Sequence, residues 1–107
     1  MKAIIDGVRY DTEKAKPIGT GSYGSYPGSG DFSHWTADLY VTESQRYFLA
    51  GEGGGMTQFA HRRADGGSCG GSKLIPLLSK DEASRWAERH LDSETVEEYF
   101  GEMIEDA

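Results

Sequence analysis

Three histidines, one cysteine and eighteen carboxylates are the residues of this 107-residue chain equipped to attack a substrate or hold an ion. A cysteine or serine nucleophile needs a histidine base and an acid that orients it. Cys69, with His34 or His61 and Asp31 or Asp65, supplies the types, but Cys69 sits in a glycine run with no helix start to lower its pKa, and the spacing matches no nucleophile motif. It reads as a loop thiol, and an enzyme built on His34, His61 or Cys69 is the weakest reading. A lone cysteine forms neither an intrachain disulfide nor a cysteine zinc cage, and no two histidines stand four apart, so no metal is expected. Gly70-Gly71-Ser72-Lys73 lacks phosphate-loop spacing, and the run Gly51 to Gly55 carries Glu52, which repels a phosphate. These glycines read as turns, no cofactor is expected, and nothing selects a catalytic carboxylate pair.

What remains is a concentration of acid at one end. Residues 1–78 hold eight acids and eight bases, whereas residues 79–107 hold ten acids against Lys80, Arg85 and Arg89, so the entire net charge of −7 lies there. Direct binding of nucleic acid needs a basic stripe, and only Arg62 and Arg63 stand together, which argues against it. On a continuous helix through residues 92–106, Glu94, Glu97, Glu98, Glu102, Glu105 and Asp106 fall on one half of the circumference, opposite Val96, Tyr99, Phe100, Met103 and Ile104. Such a helix would be about 22 Å long and, counting Asp92, would carry seven carboxylates, roughly one charge per 3 Å, close to the spacing along one DNA strand. A solvated face is the plain explanation. However, like charges four apart cost a few tenths of a kcal/mol each, and no lysine relieves them, which favours an acidic partner-binding face.

The elements that would carry these residues follow from periodicity. Leu, Ile, Val and Phe make up only 18 of 107 residues, a share typical of disordered chains. Six Tyr, two Trp and three Met at structural periods supply an aromatic-weighted core instead. Asp6-Gly7 between β-favouring runs predicts a tight hairpin. Residues 17–31, rich in Gly, Pro and Ser, predict an ordered loop or irregular strand. His34–Val41 and Arg46–Gly51 predict a second hairpin, Met56–His61 either a short helix or an extended segment, and Lys73–Leu78 an edge strand because Pro76 cannot donate to a ladder. Ser79 to Glu82 form a capping box, with Leu78 placed to staple onto Ala83. Ala83, Trp86, Ala87, His90 and Leu91 then mark one helix face, and Asp92 or Ser93 caps a second helix. The expected architecture is a single α+β domain over 1–107: a Gly-rich β region, 1–78, with a small antiparallel sheet of four or five strands, then an acidic region, 79–107, of two amphipathic helices. No apolar run is long enough for a membrane span or signal-peptide core, so a soluble, cytoplasmic protein is expected.

Ile5 to Ala15, Leu39-Tyr40, Tyr47 to Gly54, Ile75-Pro76-Leu77 and Glu82 to Asp92 together resemble a family of small acidic proteins encoded on bacterial phages and other mobile elements, which includes an anti-CRISPR inhibitor of a type I surveillance complex. The resemblance spans nearly the whole chain and implies a non-enzymatic protein that binds a Cas effector subunit where DNA would bind, in the cytoplasm of a bacterial host. It supplies no catalytic residue. The residues that carry it read as structural, so the phosphate surrogates expected are the six acids from Glu94 to Asp106. The alternative is a mobile-element interaction protein that binds a host factor through an aromatic loop face of Tyr23, Tyr26, Phe32 and Trp35.

Overall fold

Asp6 and Gly7 stand at φ 52° and 78°, left-handed at both positions, as a two-residue hairpin loop with the twist of its strands requires. They join β1 (Lys2–Ile5) to β2 (Val8–Asp11), with Ile5 opposite Val8. The structure, a computed structural model, describes residues 1–23, 33–54, 57–62 and 64–107. After one turn, in which the Asp11 carboxylate accepts from the Glu13 amide at 3.0 Å, the chain enters β3 (Lys16–Tyr23). It then forms β4 (Trp35–Val41) and β5 (Tyr47–Gly53). A short ladder, β6 (His61–Arg62) with β7 (Ser68–Cys69), precedes β8 (Gly71–Pro76). The main sheet is antiparallel in the order β3-β4-β5-β8, and the β1–β2 hairpin stays separate from it. Two helices follow, α1 (Lys80–His90) and α2 (Ser93–Phe100), then a 3-10 turn over Gly101–Met103. This is the α+β arrangement read from the sequence, with four strands in the principal sheet.

β5 explains the layering. Its side chains alternate: Tyr47 and Leu49 join Ile18, Leu39, Ala83, Ala87, Val96 and Phe100 beneath the helices, while Phe48 and Ala50 join Tyr10 and Leu74 beneath the hairpin. Four successive apolar residues in a strand of period 2, here Tyr47 to Ala50, must be covered on both faces. On the hairpin side Phe48 stacks on Tyr40 at 5.2 Å and meets Tyr10 edge-on at 5.4 Å, geometries that suit ring quadrupoles. On the helix side Tyr47 meets Phe100 at 5.6 Å.

Of the ordered loop and the irregular strand expected over 17–31, the described part is the strand: residues 16–23 form β3, with a bulge between Pro17 and Gly19; residues 24–31 lie outside the described residues. Its glycines are docking positions. A Cβ at Gly21 would lie 2.7 Å from His90 Cβ and 2.8 Å from Trp86 Cη2, and one at Gly19 would lie 2.9 Å from Leu91 Cδ2. Glycine in a strand costs conformational entropy, but here it lets α1 approach the backbone closely.

Between β5 and β6 the segment left open by the sequence is a turn: the Thr57 hydroxyl donates to the Gly54 carbonyl at 2.8 Å, the Ala60 amide to the Thr57 carbonyl at 3.1 Å, and Phe59 is fully buried. Met56 lies outside the described residues. β8 is an edge strand, with Pro76 opposite Phe48, as its proline requires.

The helix starts are as predicted, with one change. Ser79 Oγ accepts from the Glu82 amide at 3.1 Å, but Glu82 Oε2 accepts from the amide of Leu78, at 2.8 Å, one residue before the usual partner. The predicted Leu78 staple does not form. Leu78 is 94% exposed, because Ala83 is already wholly enclosed by the helix–sheet core and offers it no surface. Asp92 caps α2, accepting from the Thr95 amide at 2.8 Å. The larger correction is length: α2 has eight residues, about 12 Å, and not a rod through residue 106. Phe100 inserts fully into the core, Gly101 is a poor helix former, and Met103 at the end of the 3-10 turn and Ile104 just after it stand 39% and 41% exposed.

Substituting Gly21 with Ala forces a methyl group into His90 and Trp86, and should cost about 1–3 kcal/mol by overpacking, read as a lower urea midpoint with an unchanged m-value. Leu78→Ser, at an exposed position, should shift stability by less than about 0.5 kcal/mol; equal effects of the two would contradict the docking role of Gly21.

Candidate functional site

Three of the six predicted partner-binding acids, Glu94, Glu97 and Glu98, lie on α2, exposed and away from the buried Val96 and Phe100. None of the three has an ion-pair partner within 4.0 Å among the described residues. Glu102 sits in the 3-10 turn and is paired with Lys80 of α1. The hydrogen bond from Lys80 lowers the Glu102 pKa, with the ammonium charge acting in the same direction, and the same hydrogen bond raises that of Lys80. Glu105 and Asp106 are exposed on the irregular segment that follows. The six acids are thus a helical trio, one neutralised member and a terminal pair, and not a continuous stripe. Asp81 pairs with Arg85 at 2.9 Å, one turn apart on α1, an exposed pair worth a few tenths of a kcal/mol. Asp92, whose pKa is lowered by hydrogen bonding to Thr95, keeps its charge at the start of α2, where the helix dipole favours it. From the sheet, Lys16 reaches over the Tyr99 ring, 5.2 Å from its centroid, so one cation borders the acidic layer.

Of the aromatic alternative, Tyr23 and Trp35 stand opposite each other in the β3–β4 ladder. Tyr23 is 60% exposed, and Tyr26 and Phe32 lie outside the described residues. Trp35 packs on the helix side of the sheet: its ring centroid is 5.0 Å from His90, 6.2 Å from Trp86 and 6.2 Å from Phe59. Trp35 therefore closes one end of the helix–sheet core.

The nucleophile candidates are partly brought together. His61 and Cys69 face each other as register partners in the β6–β7 ladder. Their polar atoms go elsewhere: the thiol hydrogen-bonds the His61 carbonyl at 3.7 Å, and His61 Nε2 lies 3.0 Å from the Ser72 carbonyl. Asp65 caps its own turn by accepting from the Gly67 amide at 2.9 Å. The His34 carbonyl accepts from the Gly54 amide at 2.9 Å, and Asp31 lies outside the described residues. Among the described residues no three His, Cys, Asp or Glu side chains are grouped to hold a metal ion.

Several depressions among the described residues escaped the sequence reading, and two of them bear on the site. One, of about 420 Å³, opens on the hairpin side of the sheet and is lined by Thr36, Asp38, Tyr40, Glu52 and Ser72 with Met1 and Thr12. Asp38 accepts a hydrogen bond from the Thr20 hydroxyl, and burial, with the Asp38 charge second, raises the Tyr40 pKa. The signal was present: polar residues at alternate positions of β4, with Glu52 opposite Thr36 in β5, mark the uncovered half of a sheet face. The other, of about 250 Å³, lies between the end of α1 and the start of α2. It could not be foreseen from a reading that continued α2 through residue 106. No protein-family model, curated protein or solved structure matches the chain, so the family resemblance rests on the residue pattern alone.

Burial, and secondarily the charge of Arg89, holds the His90 imidazole below 6.5. The unfolded chain takes up the proton more readily, so the stability that neutral His90 contributes is complete above pH about 6.5 and is lost as pH falls through its folded-state value. Ring NMR shifts should titrate with a midpoint below 6.5, accompanied by a falling urea midpoint over that window. A midpoint at or above the ordinary value would contradict the packing of His90 against Trp35 and Trp86.

Proposed function

We propose that the chain is a binding protein that inhibits a CRISPR effector, its acidic helical layer occupying the cationic channel that a Cas subunit offers to DNA. The observation that carries this reading is the trio Glu94, Glu97 and Glu98, exposed on one short helix and without an ion-pair partner among the described residues. The sheet region, by contrast, is balanced in charge. Anionic groups fixed on a folded helix attract a lysine- and arginine-lined groove over roughly a Debye length, about 8 Å at physiological salt, and raise the rate of encounter. Once docked, the domain blocks the groove by its bulk, while the carboxylates take the place of phosphates. Glu105 and Asp106 extend the charge, and Glu102 contributes when it leaves Lys80. The activity requires no cofactor and would take place in the bacterial cytoplasm; no helix among the described residues is long and apolar enough to cross a membrane.

Binding of this kind weakens with salt, with a slope of about 0.9 in log K per neutralised charge. Converting Glu94, Glu97 and Glu98 to Lys should abolish the block of target-DNA binding by a type I surveillance complex in a gel-shift assay, and the corresponding Gln variant should fall between it and the parent. Both should keep the parental far-UV circular dichroism. If the folded Lys variant still blocks DNA, the carboxylates do not stand in for phosphates.

A further inference from the structure

The depression between the helices gives this layer a more specific feature than charge. It is lined by Glu88 and Leu91 from the end of α1, Ser93, Val96 and Glu97 from α2, and Ile104 beyond the 3-10 turn. Leu91, Val96 and Ile104 supply apolar surface, and Glu88 and Glu97 supply a carboxylate from each helix. Its volume, about 250 Å³, is below the roughly 300–1,000 Å³ of sites for small molecules and cofactors, and suits a side chain. The two helix ends that meet there oppose one another, since the carbonyl end of α1 favours a cation and the amide end of α2 disfavours it, so the two carboxylates decide the sign.

We infer that this depression is a seat for an arginine side chain of a protein partner: the aliphatic stem lies on Leu91, Val96 and Ile104, and the guanidinium bonds to Glu88 and Glu97. The inference rests on the acidic-layer reading of the proposed function and narrows it to one contact. An arginine combines the two properties the site presents, an apolar stem and a charged planar head. Its fork of donors pairs with carboxylates in fixed geometry, which an ammonium cannot match. Ile104, 41% exposed, is then part of the apolar contact and not an unfinished helix face.

The test titrates the full-length, isotope-labelled chain with the blocked peptide acetyl-Leu-Arg-Leu-Arg-Leu-amide and with its lysine counterpart, followed by amide NMR shifts. The arginine peptide should saturate shifts centred on Leu91, Val96, Glu97 and Ile104, and bind several-fold more tightly than the lysine peptide. Ile104→Ser, outside the carboxylate set, should weaken it about fivefold, the effect of withdrawing one or two methylenes from apolar contact, and Glu88→Gln should do so as well. Both positions are exposed, and matching amide spectra elsewhere verify that the variants fold. Shifts that follow α2 charge without saturating, equal for the two peptides and untouched by Ile104→Ser, would overturn the seat and leave the acidic-layer reading standing. The converse result, saturable arginine binding by a protein whose Glu94→Lys, Glu98→Lys form still blocks DNA, would support the seat and remove the larger reading.

Discussion

The architecture depends on one close approach: α1 lies against a strand with no side chains at the point of contact. Trp86 and His90 occupy the space over Gly21, and Leu91 that over Gly19. With those residues seated, Trp35 and Phe59 complete an aromatic end to the core, and the chain must turn at Asp92 to start α2. The positions of the acids on α2 follow from that turn. Because interiors are packed to near-crystalline density, the contact has little freedom to slide, and the acidic layer inherits the rigidity of the sheet beneath it.

Within the layer, charge is distributed unevenly. Lys80 and Arg85 are engaged with Glu102 and Asp81, Lys16 rests on Tyr99, and the carboxylates of Glu94, Glu97 and Glu98 face outward. The pairs occupy the flank near the start of α1, and the trio, without an ion-pair partner among the described residues, occupies α2. This division gives the layer a direction, which a uniformly acidic surface lacks, and it sets the depression between Glu88 and Glu97 beside that trio.

Much of this was legible from local chemistry. Asp6 and Gly7, Ser79 with Glu82, Asp92 and Pro76 each impose a backbone requirement that only a few geometries satisfy, and each appears where expected. β3 was only half legible, as one of two alternatives, because Pro17, Gly19 and Gly21 argue against a strand when only their own preferences are weighed; the reason for the two glycines is Trp86, His90 and Leu91, 65 to 72 residues away in the numbering. The end of α2 was misread for the opposite reason. Met103 and Ile104 continue the apolar period beyond Gly101, but period alone does not say whether a surface remains for them to cover. Leu78 shows the same limit, since the staple needs an exposed partner and Ala83 is already enclosed. The arrangement of acids is therefore only half visible in the sequence: their identities and their excess are there, while the break after Phe100 and the capture of Glu102 by Lys80 are tertiary facts.

β5 has a consequence for how the molecule comes apart. Tyr47 and Leu49 belong to one core and Phe48 and Ala50 to the other, and Leu39 and Tyr40 of β4 and Ile75 and Leu74 of β8 divide in the same way, so the sheet, with β5 inside it, is the shared wall of both. Neither layer can peel away while that wall stays intact without leaving aromatic surface wet, and disrupting the wall removes support from both sides at once. A domain this small and this rich in glycine thereby gains cooperativity: its hairpin and its helices are coupled through the thickness of one sheet.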